Sequence, residues 1–284
     1  MLYIGISGWT YAPWRGSFYP AGLAHKRELE YAAGRLNSIE INGSFYSLQR
    51  PTSYRGWAER TPEGFVFAVK GGRFISHMKK LAGVEGALAN FFASGVLALG
   101  PKLGPVLWQL PPMLRFDAAR LAAFFEQLPR TTTAAVALAA AHEDRMRDRT
   151  WLATDADRPI RYALEVRHPS YECREFVDLL RAHDVALVTA DTAGKWPFME
   201  DQTSTFAYAR LHGAEELYVS GYSDEALDRW ADRVRRWSAG GRDVFVYFDN
   251  DVKVHAPYNA ICLADKLGVS WPVDDCPAAA ENRR

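Results

Sequence analysis

The stretch Phe206-Ala-Tyr-Ala-Arg-Leu-His212 contains the pattern that decides both the fold and the place of a candidate site. Side chains alternate between the two faces of a β-strand, so residues two apart point the same way. Ala209 and Leu211 would then face one side of a sheet, while Arg210 and His212 would face the other. We therefore predict a strand that is apolar toward flanking helices and polar toward the interior of a closed sheet.

Runs of this kind recur along the chain. We expect strands at Tyr3–Ser7, Ser38–Asn42, Phe65–Lys70, Pro105–Gln109, Tyr162–Arg167, Val185–Asp191, Phe206–His212 and Val244–Asp249. Helical patterns lie between these runs, and strands that alternate with helices usually pair in parallel. Eight such units predict a protein of the α/β class that forms a single (β/α)8 TIM barrel, a fold that takes about 250 residues as one domain.

The boundaries of two helices and of the domain follow from local patterns. Asp117 and Ser223 each precede an apolar stripe of helical period and are good N-cap residues. The segment Pro129–Asp157 is longer than one connection requires, so we expect an extra helix between strands 4 and 5, around Ala134–Arg147. We assign residues 1–271 to the barrel domain and expect residues 272–284 to form a flexible C-terminal tail.

Composition limits the classes of function. Lys plus Arg and Asp plus Glu each number 34, so the net charge is zero, whereas a protein that coats nucleic acid usually has a basic excess. The first residues lack the basic and apolar segments of a signal peptide, and the most apolar stretch, Phe91–Met113, is broken by Gly, Pro and Lys. We therefore expect a cytoplasmic protein with no membrane association. The common nucleotide, dinucleotide, zincin and serine-hydrolase motifs are absent from the sequence.

Nearly every predicted strand ends in a polar side chain, and barrel enzymes place their active sites at that end of the strands. Our candidates for acid/base catalysis are Glu40, Glu165, Asp191 and His212. Carboxylates that share a site with cations have their pKa values driven apart, which is how a general acid and a general base are distinguished. The alternative is that these charged side chains form a structural ion network.

Cations are concentrated after the third strand, in Lys70-Gly-Gly-Arg-Phe-Ile-Ser-His-Met-Lys-Lys80. Together with Arg167 and Arg210 they would make a positive barrel mouth that suits an anion, and the Gly-Gly pair would let the backbone approach that ligand. The candidate substrate-binding and anion-binding residues are Trp9, Asn42, Tyr46, Lys70, Arg73, His77, Gln109, Arg167, His168, Arg210, Asn250 and Asp251.

Aromatic residues are frequent in the first two loops at this end of the barrel. They include Trp9, Tyr11 and Trp14 after the first strand, and Phe45 and Tyr46 after the second. Such rings could stack on a sugar ring or a base. They could also pack together as a lid that plugs the barrel mouth.

Several motifs in order resemble the YecE-like family, which is described as domain of unknown function 72, from about Tyr3 to Leu267. They are Gly5-Ile-Ser-Gly-Trp9-x-Tyr11-x-x-Trp14-x-Gly16-x-Phe18-Tyr-Pro20, Ile39-Glu-Ile-Asn42-x-x-Phe45-Tyr46, Phe74-Ile-Ser-His77, Leu107-Trp-Gln-Leu-Pro-Pro112, Ala163-Leu-Glu-Val-Arg-His-Pro-Ser170, Tyr208-Ala-Arg-Leu-His-Gly213 and Tyr247-Phe-Asp-Asn-Asp251 with Asn259-Ala260. The resemblance implies a barrel fold and supplies no reaction. Its likeness to xylose-isomerase-like and endonuclease-IV-like barrels is an analogy of fold.

Three hypotheses for function remain open. The first is an enzyme, with hydrolase, isomerase or lyase chemistry, that acts on a small anionic, phosphorylated or sugar-like substrate; glycoside hydrolysis is one variant. The second is a nucleic-acid-binding or endonuclease-like protein, and the third is a non-catalytic binding protein. We expect no cofactor and a monomer or weak homodimer. Glu40, Glu165, Asp191 and His212 are suitable metal ligands, but Arg167 and Arg210 would repel a divalent cation, so we expect no tightly held metal.

Overall fold

A computed structural model of the protein describes residues 1–271 and shows eight parallel strands closed into a barrel in chain order. The strands are β1 (Leu2–Ser7), β2 (Ser38–Ile41), β3 (Val66–Lys70), β4 (Leu103–Gln109), β5 (Tyr162–Glu165), β6 (Val185–Asp191), β7 (Phe206–Leu211) and β8 (Asp243–Phe248). Strand β1 pairs with both β2 and β8, which closes the sheet. The predicted fold is confirmed.

Helices cover the outside of the barrel. They are α1 (Glu28–Ala33), α2 (Gly43–Tyr46), α3 (Pro51–Glu59), α4 (Glu85–Ala93), α5 (Ala118–Glu126), α6 (Thr132–Ala139), α7 (Arg174–Ala182), α8 (Asp224–Ser238) and α9 (His255–Lys266). Helix α6 and the 3₁₀ turn Asp144–Arg149 lie where an extra helix was predicted between the fourth and fifth strands.

The predicted helix starts are present with their capping bonds. The Asp117 side chain accepts a hydrogen bond from the amide of Arg120, and Ser223 accepts one from the amide of Ala226. Both bonds satisfy backbone donors that the first helical turn leaves free. The apolar stripes of α5 and α8 are buried against the barrel, so the helical spacing of their apolar residues correctly predicts which face of each helix packs.

The interior of the barrel changes in character along the strands. Small and aromatic side chains fill its amino-terminal part, including Ala163, Tyr208, Phe245 and Tyr247. Charged and polar side chains follow at the carboxyl ends, where Arg210 is fully buried. The alternation predicted for β7 is present, because Ala209 and Leu211 pack in the outer core while Tyr208 faces inward.

Two further expectations concern the ends of the domain and the membrane. The proposed tail, residues 272–284, lies outside the described residues, so the domain boundary stays a prediction. Within residues 1–271, no helix has the combination of length and apolar character needed to cross a bilayer.

Candidate functional site

Arg210, at the end of β7, is the centre of a buried network of charges. Its guanidinium donates to Oε1 of Glu40 at 2.8 Å, to Oε2 of Glu165 at 2.7 Å and to Oδ2 of Asp249 at 3.0 Å. The side chains of Arg210 and both glutamates are fully buried. One cation therefore neutralises parts of three carboxylates that arrive from strands β2, β5 and the end of β8.

Both glutamates have additional donors, which leaves them fully hydrogen-bonded. Glu40 accepts from the hydroxyl of Ser7 at 3.0 Å and from that of Tyr208 at 2.6 Å. Glu165 accepts from the side-chain amide of Gln109 at 2.8 Å and from Nε of Arg167 at 2.9 Å. Buried charges are tolerated when they are paired and hydrogen-bonded in this way.

The network keeps two of its carboxylates, Glu165 and Asp249, ionised. Burial opposes the charged form of Glu165, but the positive charges of Arg167 and Arg210 outweigh it and hold the pKa of Glu165 well below its usual range. Burial and the Arg210 charge act on Asp249 in the same opposing way, and the result is a pKa lowered to about 2. Nδ1 of the buried His212 lies 2.9 Å from Oδ2 of Asp249, although the contact lacks the angle of a hydrogen bond.

An open cavity of about 560 Å³ lies above this network at the barrel mouth. It is lined by Tyr11, Asn42, Phe45, Tyr46, Lys70, Arg73, His77, Gln109, Arg167, Tyr218, Asp249, Asp251 and Val252. Four residues of the network do not line the cavity and are buried at the same end of the barrel interior: Glu40, Glu165, Arg210 and His212. The structure thus separates a neutralised inner layer from an outer layer that a ligand can reach.

Lys70, at the end of β3, is a buried cation on the cavity wall with no carboxylate bonded to it. Its side chain is largely buried, and within the described chain its ammonium makes no hydrogen bond or ion pair. Nζ lies 4.4 Å from the centre of the Phe45 ring, which is the distance of a cation–π contact. Burial and the nearby Arg210 charge lower the pKa of Lys70 to about 8.

The segment after β3 brings His77 to the same cavity. Residues Phe74–Met78 form a single π-helical turn, a rare conformation that often occurs at functional sites. The His77 ring packs edge-on against Phe45, and its Nδ1 is 2.9 Å from the hydroxyl of Ser76. Burial and the charges of Lys70, Arg167 and Arg73 lower the pKa of His77 to about 4, so this imidazole is neutral at physiological pH.

The Gly-Gly pair beside Lys70 has a packing role that differs from the predicted approach to a ligand. A Cβ atom on Gly71 would lie 2.2 Å from ring atoms of the buried Trp108, whereas one on Gly72 would meet only Ser44 O at 3.8 Å. Only glycine therefore allows β3 to pass over the indole of Trp108.

We predict that Gly71→Ala destabilises the protein by roughly 1–3 kcal/mol, because the added methyl group overpacks a rigid aromatic ring. Urea unfolding measures the change in the free energy of unfolding. The matched control is Gly72→Ala, which should change it by less than about 0.5 kcal/mol. Equal losses in the two variants would contradict the packing role assigned to Gly71.

Arg167 links the buried network to the cavity. Its Nε is bonded to Glu165, its Nη2 donates to the hydroxyl of Tyr218 at 3.3 Å, and its guanidinium stacks 3.8 Å from the ring centre of Trp196. Among the contacts of the described residues, none involves Nη1 of Arg167. Three contacts therefore hold this guanidinium in place on the wall of the cavity.

Asp251 is the carboxyl group on the cavity wall whose pKa lies near neutral pH. Burial, together with the nearby negative charge of Asp249, raises its pKa to about 6. The nearby hydroxyl of Tyr11, which donates its hydrogen bond to the carbonyl of Ser7, opposes part of that increase. A carboxyl group with this pKa is suited to both accepting and donating a proton near pH 7.

Four of the predicted site residues lie away from the mouth cavity. Asp191 accepts a hydrogen bond from the hydroxyl of Tyr222 at 3.1 Å and lines a neighbouring cavity of about 340 Å³. Trp9 lines a third cavity of about 480 Å³ on the side of β2. His168 bonds to Ser170 and caps a short 3₁₀ turn. Asn250 donates to the carbonyl of Ser220 and to the side chain of Asn259.

Sequence reasoning did not select several residues that the structure places at the site. Asp249 shares the inward face of β8 with Phe245 and Tyr247, so the alternation of that strand was a signal for it. Tyr11 and Phe45 had been noted only as aromatic loop residues. Tyr218 lies in a loop whose path no local pattern indicates, and we find no signal for it.

The arrangement of ligand-type side chains bears on the expected lack of a metal. Across residues 1–271, no group of three or more His, Cys, Asp or Glu side chains is placed to hold a metal ion. The guanidinium of Arg210 lies between Glu40, Glu165 and Asp249, where it occupies the position that a cation shared by these carboxylates would need. The expectation of no metal stays a prediction.

Comparisons with known proteins agree with the fold. The chain is 22% identical to the UPF0759 protein YunF of Bacillus subtilis, over 95% of this chain and 96% of that protein. It is 30% identical to the UPF0759 protein YecE of Escherichia coli K12 over 39% of this chain and 38% of that protein.

Two crystal structures of DUF72 family proteins share the barrel. TM1631 of Thermotoga maritima superposes with a TM-score of 0.74 at 24% identity and covers 94% of this chain and 99% of its own. EF0366 of Enterococcus faecalis gives a TM-score of 0.73 at 17% identity and covers 95% and 97%, respectively. The family model described as "Protein of unknown function DUF72" matches residues 3–281, so this chain belongs to the DUF72 family, as its motifs indicated.

Proposed function

We propose that the protein is an enzyme that binds a compact anionic substrate, such as a phosphorylated or sugar-like molecule, in the cavity at the barrel mouth. The single observation that carries the proposal is Lys70, a cation on the cavity wall that no carboxylate in the described chain bonds. A buried, unpaired cation costs free energy, and a bound anion would offset that cost.

Two arginines complete the proposed anion site. Arg167 lines the cavity in a position fixed by Glu165 and Trp196, and its Nη1 has no partner among the described residues. Arg73 is an exposed cavity residue with no ion-pair partner among residues 1–271. A planar guanidinium and an ammonium together match the geometry of a phosphate or carboxylate group.

The acid/base chemistry is assigned to Asp251. Glu40 and Glu165 were the first candidates, but both are buried and saturated with hydrogen bonds, and we give them the role of holding Arg210 and Arg167 in place. Asp251 lines the cavity and has a pKa of about 6, so both of its protonation states are populated near neutral pH.

Titration calorimetry with inorganic phosphate and small phosphate monoesters tests the proposal. We expect saturable binding to wild type that is at least tenfold weaker in Arg167→Gln, because this change removes a charged hydrogen bond worth about 1.5–3 kcal/mol. Lys79→Gln removes one positive charge from the loop after β3 but not from the cavity wall, and it should bind like wild type. Equal weakening in both variants would show that binding depends only on the net charge of the protein, and it would contradict the proposed anion site.

Nucleic acid is the alternative ligand, and salt dependence separates the two. A protein that contacts six to ten phosphates loses roughly 10³- to 10⁵-fold in affinity between 50 and 200 mM salt. Three cations converge on this cavity, and Asp249 and Asp251 line it as well, so we expect weak oligonucleotide binding. Submicromolar, steeply salt-dependent binding of an oligonucleotide that Arg167→Gln abolishes would favour the alternative.

The charge of the cavity predicts how anion binding depends on pH. Sulfate is a suitable probe because it keeps its charge in the range concerned. Asp251 gains its negative charge above about pH 6 and Lys70 loses its positive charge above about pH 8, so sulfate affinity should fall in two steps as pH rises. Calorimetry at a series of pH values should show the lower step vanish in Asp251→Asn and the upper step vanish in Lys70→Arg. A flat profile in wild type would contradict both assignments.

A further inference from the structure

We propose that Lys70 is a nucleophilic amine that forms an imine with an aldehyde or ketone whose anionic group binds at Arg167 and Arg73. The inference rests on the proposed function and names its substrate class: a compact carbonyl compound that carries a phosphate or carboxylate group. Three observations about the surroundings of Lys70 support it.

The first observation is that the amine can be reached and is not tied to another group. Lys70 lines the open mouth cavity, and its ammonium has no hydrogen-bonded partner within residues 1–271. An amine locked in an ion pair would have to break that contact before it attacked a carbonyl. Here the face of the Phe45 ring supports the side chain without occupying the lone pair of the nitrogen in its neutral form.

The second observation is the balance of charge around the amine. Arg210, Glu40, Asp249 and Glu165 act on Lys70 from the interior network, and Lys70 in turn acts on His77 across the cavity. Burial and the Arg210 guanidinium disfavour the ammonium form, and the three carboxylates only partly offset them. A desolvated lysine next to another cation is a recognised way to obtain a neutral amine near physiological pH.

The third observation is that proton-transfer groups and anion donors share the cavity with the amine. Asp251 and the neutral His77 both line it, together with Arg73 and Arg167. A carbonyl compound held by its anionic group would therefore lie against the amine and next to a group that accepts and donates protons.

The step balances without any further reactant. The ammonium of Lys70 first gives a proton to Asp251. The neutral Nζ then forms a bond to the carbonyl carbon, and the electron pair of the C=O bond moves to oxygen, which takes the proton from Asp251. Nitrogen next loses a second proton to Asp251, which passes it to the carbinolamine hydroxyl, and that group leaves as water while the nitrogen lone pair forms the C=N bond. In total, the ammonium form of Lys70 and the carbonyl compound give a protonated imine and one water molecule.

Pyridoxal 5′-phosphate is a suitable probe, because it carries an aldehyde and a phosphate and its imines are coloured. The full-length protein is incubated with it, reduced with borohydride to trap the imine, and mapped by peptide mass spectrometry. At about pH 7.5 we expect roughly tenfold or more label at Lys70 than at the exposed Lys79, because the lowered pKa of Lys70 leaves a substantial fraction of its amine neutral. Inorganic phosphate should slow the labelling of Lys70 and not that of Lys79.

Lys70→Arg is the matched variant, since it keeps the positive charge and removes the nucleophile. It should show no trapped adduct in the peptide that contains residue 70, while Lys79 is labelled as in wild type. If wild type binds phosphate and Lys70 is labelled no faster than Lys79, the imine inference is wrong and the anion site stands. If phosphate does not bind, the proposed function fails. If Lys70 is labelled but phosphate does not slow the reaction, the inference is also overturned, because the amine is then independent of the anion site.

Discussion

Arg210→Met is expected to lower the free energy of unfolding by about 3–5 kcal/mol, the largest loss predicted for any single side chain of the site. The substitution keeps most of the apolar volume but leaves Glu40, Glu165 and Asp249 buried around an absent cation. Thermal or urea unfolding at neutral pH measures the loss. The difference from wild type should shrink as pH falls, because Glu165 and Asp249 then take up protons and no longer need a counter-charge.

Arg158→Met is the matched control for this prediction. Arg158 also makes close paired contacts, with two hydrogen bonds of 2.6 Å to the carboxylate of Asp155, but both side chains are partly exposed. Exposed ion pairs contribute about 0–1 kcal/mol, so this variant should stay close to wild type. A loss below about 1 kcal/mol in Arg210→Met would show that the buried network does not require its central cation.

Lys70→Met is expected to act in the opposite direction and to stabilise the protein at pH 7 by about 1–3 kcal/mol. The pKa of Lys70 is about 8 in the folded protein and 10.5 when the side chain is exposed, so folding disfavours its ammonium form. The buried ammonium therefore destabilises wild type fully below about pH 8. This destabilisation disappears as pH rises toward 10.5, where the two proteins should become equally stable. Removal of a charge that function requires commonly raises stability.

A second lysine provides the control for the sign of this effect. Nζ of Lys102 donates to the carbonyls of Ala58 and Thr61, each at 2.6 Å, so Lys102→Met leaves two acceptors without their donor and should destabilise. Saturating phosphate should stabilise wild type and leave Lys70→Met nearly unchanged. A Lys70→Met protein that is less stable than wild type at pH 7 would contradict the inference that the charge of Lys70 destabilises the protein when no anion is bound.

The barrel followed from sequence because its signals are local and repeated. Each strand was found within two residues of its observed bounds, since runs of alternating or apolar residues bounded by turns specify strands directly. The caps at Asp117 and Ser223 were equally local, and both are present. The prediction that the sheet closes into a barrel followed from the count of eight strand–helix units.

The candidate site followed only in part, and strand alternation explains much of the difference. In β6, Ala186, Val188 and Ala190 face the interior, so Asp191 at the end of that strand points to the opposite side and lines another cavity. In β8, Asp249 follows the inward-facing Tyr247 by two residues and therefore faces inward as well. The next residue, Asn250, instead donates a hydrogen bond to the loop at Ser220. A residue at the end of a strand points into the barrel only if an even number of positions separates it from the other inward-facing residues of that strand.

Some properties of the site depend on distances that sequence does not encode. Lys70 and Glu40 are both polar, inward-facing residues at strand ends, but Glu40 is bonded to Arg210 and Lys70 is not bonded to any carboxylate in the described chain. The difference between a structural ion network and a ligand site therefore depends on which cation lies next to which carboxylate. The contact of Tyr218 with Arg167 likewise depends on the path of a long loop.

A crystal structure with a bound anion would show whether the mouth cavity binds anions at Lys70 and Arg167. In a crystal soaked with selenate, anomalous scattering from selenium identifies each bound anion without ambiguity. We expect a selenate in the mouth cavity with its oxygens about 3 Å from Nζ of Lys70 and Nη1 of Arg167. Selenate found only at exposed cations such as Lys79 and Lys253, with the cavity free of it, would contradict the proposed anion site.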